Sequence, residues 1–271
     1  EPTFITMSWD IAQRKEVNYE IWTSSEDHNG AEFKRDFQEL AIDLSPNTNF
    51  RPRFFIYDGE YRGCVGGACG SQCILNGRYC GPDPDGDLND KISGADIVKE
   101  NLRQICIFKV LTSAGGNDPA KTKKLQQKWW CYANDFANNC YGEEGPMRSS
   151  GDFAACAVEQ MRKVGLDQVA VNKCMADAGG VDCPSSGTCQ KNTLLEQEIR
   201  DRSNYGIISL PSIVVNGVLL RTATGSGGAA EQTTAEAICN SFASGFAPQR
   251  CDRILNPMGT GNAGIATVTF T

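Results

Sequence analysis

Thirteen cysteines stand in this 271-residue chain, at positions 64, 69, 73, 80, 106, 131, 140, 156, 174, 183, 189, 239 and 251. Cysteine zinc sites use paired C-x2-C spacings or cysteine with histidine. Here the closest pair, Cys69 and Cys73, is a C-x3-C, and His28 is the single histidine. The pattern therefore reads as a disulfide framework, which belongs to an oxidising compartment: the lumen of the secretory pathway, the extracellular space or the cell surface. Spacing groups Cys64, Cys69, Cys73 and Cys80 for pairing within their own segment. Cys106, Cys140, Cys156 and Cys174 fall together in a helical block, and Cys183–Cys189 and Cys239–Cys251 read as local bridges. The count is odd, and Cys131 is the candidate left over, either free or joined to another chain.

Between the cysteines, strand and helix signals follow one another. VNYEIWT (17–23) alternates as a half-buried strand does, and SSEDHNG follows as a polar turn. AEFKRDFQELAIDL then sets Phe33, Phe37, Leu40, Ala41 and Leu44 at helical spacing. FRPRFFIYDGE reads as a second strand running to a turn at Asp58-Gly59, parallel to the first because a helix connects them. Residues 60–95, with four cysteines, many glycines and the run PDPDGDLND, show no core periodicity and read as a cross-linked irregular insertion.

From 96 to 178 the pattern is helical. DIVKENLRQICIFKVLTSA opens with Asp96 as N-cap. KTKKLQQKWWCYANDFANNC puts Leu125, Trp129, Tyr132 and Phe136 on one face. One of the two adjacent tryptophans thus goes to the core, and the other, ~100° round the helix, to the surface as an interaction anchor. GDFAACAVEQMRKVGL stops at Gly165, and DQVAVNKCMADAGG is a shorter helix. NTLLEQEIRDRSNYG is another helix and leads into IISLPSIVVNGVLLR, a hairpin turning at Asn216-Gly217. A Gly/Ser/Thr linker, a last helix (AEAICNSFASGF) and an alternating tail, GIATVTFT, complete the chain.

The order β-α-β, insertion, α, β-hairpin, α makes the fold class α/β (α+β). It is a thioredoxin-like core with an inserted, disulfide-stapled helical subdomain, spaced more like the DsbA type than a minimal thioredoxin. The first half of the core occupies 1–59, the Cys/Gly/Asp-rich insertion 60–95, the helical subdomain 96–190 and the second half of the core 191–251. A tail with an edge strand occupies 252–271. Pro211 stands where such folds place a cis-proline beside their active site.

Redox chemistry in that fold needs a cysteine at the N-terminus of the first core helix, where the helix dipole lowers its pKa. Asp27-His28-Asn29-Gly30 stands there instead, and the chain has no C-x-x-C. A dithiol enzyme is therefore not expected. What remains is a peptide-sized groove lined by His28, Asn29, Ser209, Leu210 and Pro211, where an extended ligand pairs with exposed backbone. Asp27-His28 lacks an assignable nucleophile, so no hydrolase is read from it. GSGGAA (225–230) lacks the following strand and acidic residue of a dinucleotide site and reads as a linker. Net charge is −7, which disfavours nucleic acid. No apolar run approaches the roughly 20 residues that span a bilayer. DPDGDLNDKISGAD follows an EF-hand count loosely, with Asp90 where glycine is required and Asp96 in place of the bidentate glutamate. Asp83, Asp85, Asp87 and Asn89 are the candidate calcium ligands, and no other cofactor is indicated. The start at Glu1-Pro2 reads as a processed product or a piece of something longer.

CILNGRYCGPDPDGD, VKENLRQICIFKV, KWWCYANDF, VNKCMAD and LPSIVVNG, with the opening FITMSWD…VNYEIWTSS, together resemble the luminal region of plant vacuolar sorting receptors. The resemblance runs from about residue 4 to 251. In that family the region lies between a protease-associated domain and EGF-like repeats. The resemblance implies a type I membrane receptor of the secretory pathway that sorts soluble proteins by short peptide signals, with calcium aiding binding. The family's cysteine pair after the first strand is replaced here by His28-Asn29-Gly30. Cys131, Cys183 and Cys189 are additions, and the tail beyond Cys251 does not match an EGF opening. The function expected is thus a non-catalytic ectodomain binding a protein or peptide ligand. The alternative is a structural subunit of a larger membrane or extracellular complex.

Overall fold

The computed structural model describes residues 11–83, 92–141, 153–185, 188–220 and 229–256. The linker (221–228), the tail strand (264–271) and the calcium candidates Asp85, Asp87 and Asn89 lie outside them.

Strand β1 (Val17–Thr23) turns its odd-numbered residues inward: Val17, Tyr19 and Ile21 are buried. Helix α1 (His28–Leu44) lays Phe33, Phe37, Ala41 and Leu44 on that face, with the Tyr19 and Phe37 rings 6.2 Å apart. Strand β2 (Thr48–Phe54) runs parallel to β1, Val17 opposite Thr48 and Thr23 opposite Phe54. The second strand was expected to run on to Asp58, but it ends at Phe54. Tyr57–Asp58 forms a separate strand β3, drawn off by pairing with β5 (Tyr79–Cys80), which also pairs with β4 (Cys73–Ile74). The insertion is therefore a three-stranded sheet, with Cys73–Cys80 bridging β4 to β5 and Cys64–Cys69 closing the connection between β3 and β4.

The helical subdomain begins with α2 (Gly94–Gly115). Asp96 does not cap it as expected. Ser93 is the N-cap, and Asp96, three residues on, returns its carboxylate to the Ser93 N–H at 3.1 Å, closing a reciprocal capping box. Asp118 caps α3 (Pro119–Phe136) by accepting from the Lys121 N–H. Both tryptophans are buried, against the expectation that one would be exposed. The reason is that α3 lies between two layers. Trp130 stacks on Phe50 of β2 at 4.7 Å, and Trp129 faces α2, donating its indole N–H to the Gln104 carbonyl at 3.1 Å. A single π turn (Ala137–Tyr141) follows α3, then α4 (Phe153–Val164) and α5 (Gln168–Asp177). Cys106–Cys174 ties α5 to α2, and Cys140–Cys156 ties α4 to the π turn.

The core is completed by α6 (Thr193–Tyr205), β6 (Ser212–Val215), β7 (Val218–Leu220) and α7 (Ala229–Asn240). Asn192 caps α6 through both the Leu194 and Leu195 N–H groups. Strand β6 enters antiparallel beside β1, and the sheet order is β2-β1-β6-β7. The hairpin turns at Asn216 and Gly217, both at positive φ (47° and 87°), the paired left-handed conformation that Asn-Gly adopts readily. Cys239–Cys251 joins α7 to α8 (Gln249–Leu255), and Cys183–Cys189 closes a local loop. Cys131 is exposed and unpaired.

On the face of the sheet opposite α1, Arg53 is fully buried over the Trp22 ring, 4.6 Å from its centroid. Three carboxylates meet it: Glu198 at 3.4 Å, Glu20 at 3.8 Å and Asp201. Glu198 also accepts the Phe54 N–H at 2.8 Å, fastening α6 to the end of β2. Burial pushes the Glu198 carboxyl up to about 7, against the pull of Arg53 and of that N–H; burial raises Glu20 as well.

Two outcomes are expected. Alkylation without reductant should label one cysteine, Cys131, and peptides mapped without reduction should carry the six bridges. Labelling of any other thiol contradicts the arrangement. The native Glu198 pKa stands above the unfolded one, so its contribution is complete below about pH 4.5 and is lost as pH rises through about 7. Relative to a Glu198→Gln variant, the wild-type chain should gain on the order of 2 kcal/mol in unfolding free energy between about pH 8 and pH 4.5. Denaturant titration across that range measures it, and a pH-independent difference rejects it.

Candidate functional site

Trp22 of β1 pairs with Ser212 of β6 in antiparallel register. The end of β1 therefore lies beside the start of β6. The loop leading to α1 (24–27) and the loop entering β6 (207–211) leave the sheet at the same end. Of the predicted binding residues, His28 and Asn29 open α1 and are exposed, and the His28 ring lies 3.4 Å from Glu32 one turn on. The sequence placed His28-Asn29-Gly30 in a turn, but they are the first helical turn. A methyl group at Gly30 would meet the Asp27 carboxylate and come 2.9 Å from the Thr23 methyl, so a larger residue here requires the Asp27 side chain to move from its place at the helix entry. In the other loop, Ser209 is exposed, Leu210 half-buried and Pro211 buried, and the Leu210–Pro211 bond is cis. The Ser212 hydroxyl donates to the Ser209 carbonyl at 2.7 Å and holds the loop closed. Ile208, which the sequence reading did not select, is 89% exposed at its tip.

Beneath the first loop lies a buried polar layer. Asn101 of α2 accepts the Ser25 N–H at 2.9 Å and donates to the Ser24 hydroxyl at 3.0 Å. Ser24 in turn bonds to the Glu26 carboxylate. Burial pushes Glu26 up to about 7 and raises Asp27. Lys34 is buried under them, and its ammonium is lowered by burial although Asp27, Glu26 and Glu100 all favour its charge. Farther in, Glu100 is fully buried, ion-paired with Arg103 and hydrogen-bonded by the Tyr132 hydroxyl at 2.9 Å. These groups hold the loop against α2, where a redox enzyme would present its thiol. Cys131 lies in contact with Gln38, ten residues and ~15 Å along α1 from His28.

The sequence could not reveal this layer. Ser24, Ser25 and Glu26 look like a solvated turn, and only the helix inserted seventy residues later makes them internal. The Arg53 cluster escaped for a similar reason, since charges alternating along β1 and β2 resemble a solvent face. The one signal was reciprocal: Glu20 in β1 stands opposite Arg51 and near Arg53 once the register is known.

Of the calcium candidates, the described one, Asp83, accepts from the Gln72 amide at 2.7 Å. Ser93 and Asp96 of the same count are engaged in the α2 cap. The sulfurs of Cys64, Cys73 and Cys80 lie within 4.8 Å of one another, as members of two neighbouring bridges. Oxidised in this way they are not thiolate ligands.

Comparison with known proteins agrees with this architecture. The vacuolar sorting receptor thioredoxin-like domain matches residues 17–239. Vacuolar-sorting receptor 1 of Pisum sativum is 32% identical over 263 residues, which cover 92% of this chain and 38% of that protein. Vacuolar-sorting receptors 4 and 3 of Arabidopsis thaliana are each 31% identical over 247 residues, 87% of this chain and 35% of theirs. The chain thus spans little more than a third of the length of these curated relatives. Match and fold together place the chain in the vacuolar sorting receptor family, as its thioredoxin-like domain.

Proposed function

We propose that this chain is a non-catalytic domain that binds a protein or peptide ligand, as part of a sorting receptor acting in the lumen of the secretory pathway. The observation that carries the reading is the exposed Ile208-Ser209 tip of the loop entering β6, at the same sheet end as the exposed His28 and Asn29, where a dithiol enzyme would carry its cysteines. An exposed apolar tip on a closed loop suits recognition of a short extended segment. Relatives named as vacuolar-sorting receptors support cargo as the ligand. Calcium, held by Asp83, Asp85, Asp87 and Asn89, would assist binding from the neighbouring insertion.

The test is retention of the purified chain on immobilised vacuolar-signal peptides, with calcium and with a chelator. Wild-type protein should be retained, and Ile208→Asp should weaken retention at least tenfold while leaving the thermal transition in place. No retention, or retention untouched by the substitution, rejects the reading. Reduction of insulin disulfides by the purified chain rejects its non-catalytic part. The exposed, unpaired Cys131 favours one second reading, a subunit covalently joined in a larger assembly; native material running in fixed stoichiometry with a partner on non-reducing gels would establish that instead.

A further inference from the structure

Strand β2 is an edge of the four-stranded sheet, and most of its outer side is closed off by its own chain. The Phe55 N–H points back to β1, bonding to the Thr23 carbonyl at 2.9 Å. By the two-residue alternation of a strand, Thr48, Phe50, Pro52 and Phe54 then direct their backbone groups away from the sheet. The Thr48 N–H bonds to Ser45, the Phe54 N–H bonds to the buried Glu198 carboxylate, and Pro52 has no N–H. Such devices prevent unwanted pairing at an edge. Among the described residues the Phe50 N–H is the one outward donor on β2 without a protein partner, and the outward carbonyls of Thr48, Phe50, Pro52 and Phe54 are likewise unpaired.

Space for a partner lies at that gap. A cavity of about 570 Å3 includes Phe50 and extends over the sheet face past Glu20 to Val214, and one of about 290 Å3 includes Pro52. They share Arg51, Phe108 and Thr112, so they form one groove that passes the open stretch of β2, bounded there by α2 and α6. Its charge is specific. Arg14, Arg51 and Lys109 line it, all three exposed and none within 4 Å of a carboxylate among the described residues. The acidic groups in the groove, Glu20 and Glu198, are ion-paired with the buried Arg53 and also feel Arg51, whereas Arg14 and Lys109 have no carboxylate within 4 Å among the described residues. In a chain of net charge −7, a groove whose exposed charges are cationic, beside open backbone, is selective for negative charge.

We propose that the outer edge of β2 binds an acidic, extended polypeptide segment, which adds as a strand at Phe50 and lays carboxylates against Arg51, Lys109 and Arg14. Main-chain bonds supply the register and the cations supply the selectivity. This groove lies along the side of the sheet, away from the end that carries Pro211. The two bind independently, so failure at one leaves the other standing.

The test uses fluorescein-labelled heptapeptides on the intact, oxidised chain. The probes are an acidic alternating peptide (EVEVEVE), its basic counterpart (KVKVKVK) and a proline-interrupted form that cannot pair along its length (EVEPEVE). Anisotropy should show the acidic peptide binding at least tenfold tighter than either control. Arg51→Glu with Lys109→Glu should lower that affinity at least tenfold, and the bound acidic peptide should slow exchange of the Phe50 amide. Thr112→Trp, which fills the junction of the two cavities without changing charge, should do the same as the charge reversal and stands in for it if that variant does not fold. Equal binding of all three peptides, binding untouched by both variants, or an unprotected Phe50 amide overturns the proposal.

Discussion

The contact of Phe50 with Trp130, 4.7 Å between ring centroids, joins the two parts of this molecule. Phe50 belongs to the first half of the thioredoxin-like core and Trp130 to a helix inserted between the halves. Around them Tyr19, Phe37, Phe108 and Trp129 continue the same aromatic cluster from β1, α1, α2 and α3. Each ring buried here contributes on the order of 2–3 kcal/mol. Without that wedge the insertion would be a satellite tethered at two points. With it, α2 packs against the sheet closely enough for Asn101 to reach Ser24 and Ser25 and for Phe108 and Thr112 to wall the β2 groove. Both surfaces discussed as binding sites therefore take one side from the insertion or rest on it.

The core of the fold was readable because its signals are local: alternation in β1, the Phe33–Phe37–Ala41–Leu44 stripe in α1, and the Asn216-Gly217 turn each specify their element without help. The cysteine grouping is readable because five of the six bridges span 5 to 16 residues, and the sixth, Cys106–Cys174, spans 68 but stays within the helical block. What was illegible depends on contacts distant in sequence. The second strand was drawn four residues too long because Tyr57-Asp58 has strand character but is claimed by Tyr79-Cys80. One tryptophan was sent to the surface because a helix between two layers has two buried faces, which a single amphipathic stripe does not describe. Asp96 was mistaken for a cap because the capping box contains both a hydroxyl and a carboxylate, and only the backbone conformation of Ser93 tells which is which. At the candidate site His28, Asn29 and Ser209 are exposed, but neither the exposed Ile208 nor the buried ionisable layer has a local sequence signal.

At the sheet end, this chain has a support where a dithiol enzyme has a nucleophile. Where a dithiol enzyme needs a low-pKa sulfur at a helix N-terminus, this chain packs Glu26, Asp27 and Lys34 out of water and bonds the loop to α2. Buried ionisable groups carry a desolvation cost, visible in the raised carboxyls and the lowered ammonium. Here that cost accompanies a loop fixed in position, and a preformed surface loses little freedom when a ligand arrives.

The sheet order carries a consequence for biosynthesis. Strand β1 pairs on one side with β2, thirty residues later, but on the other with β6, Tyr19 lying opposite Val215 about 200 residues on. At translation rates of roughly 5–20 residues per second, that side of β1 waits on the order of 10–40 s for its neighbour. Through that interval the nascent chain presents an open central edge flanked by Tyr19, Ile21 and Trp22, while the insertion's cysteines emerge and oxidise. The last hairpin acts as the keystone of the sheet. Strand β6 joins beside a β-α-β unit whose residues are all synthesised long before it, so the central strand of the sheet stays half-paired until the last hairpin arrives.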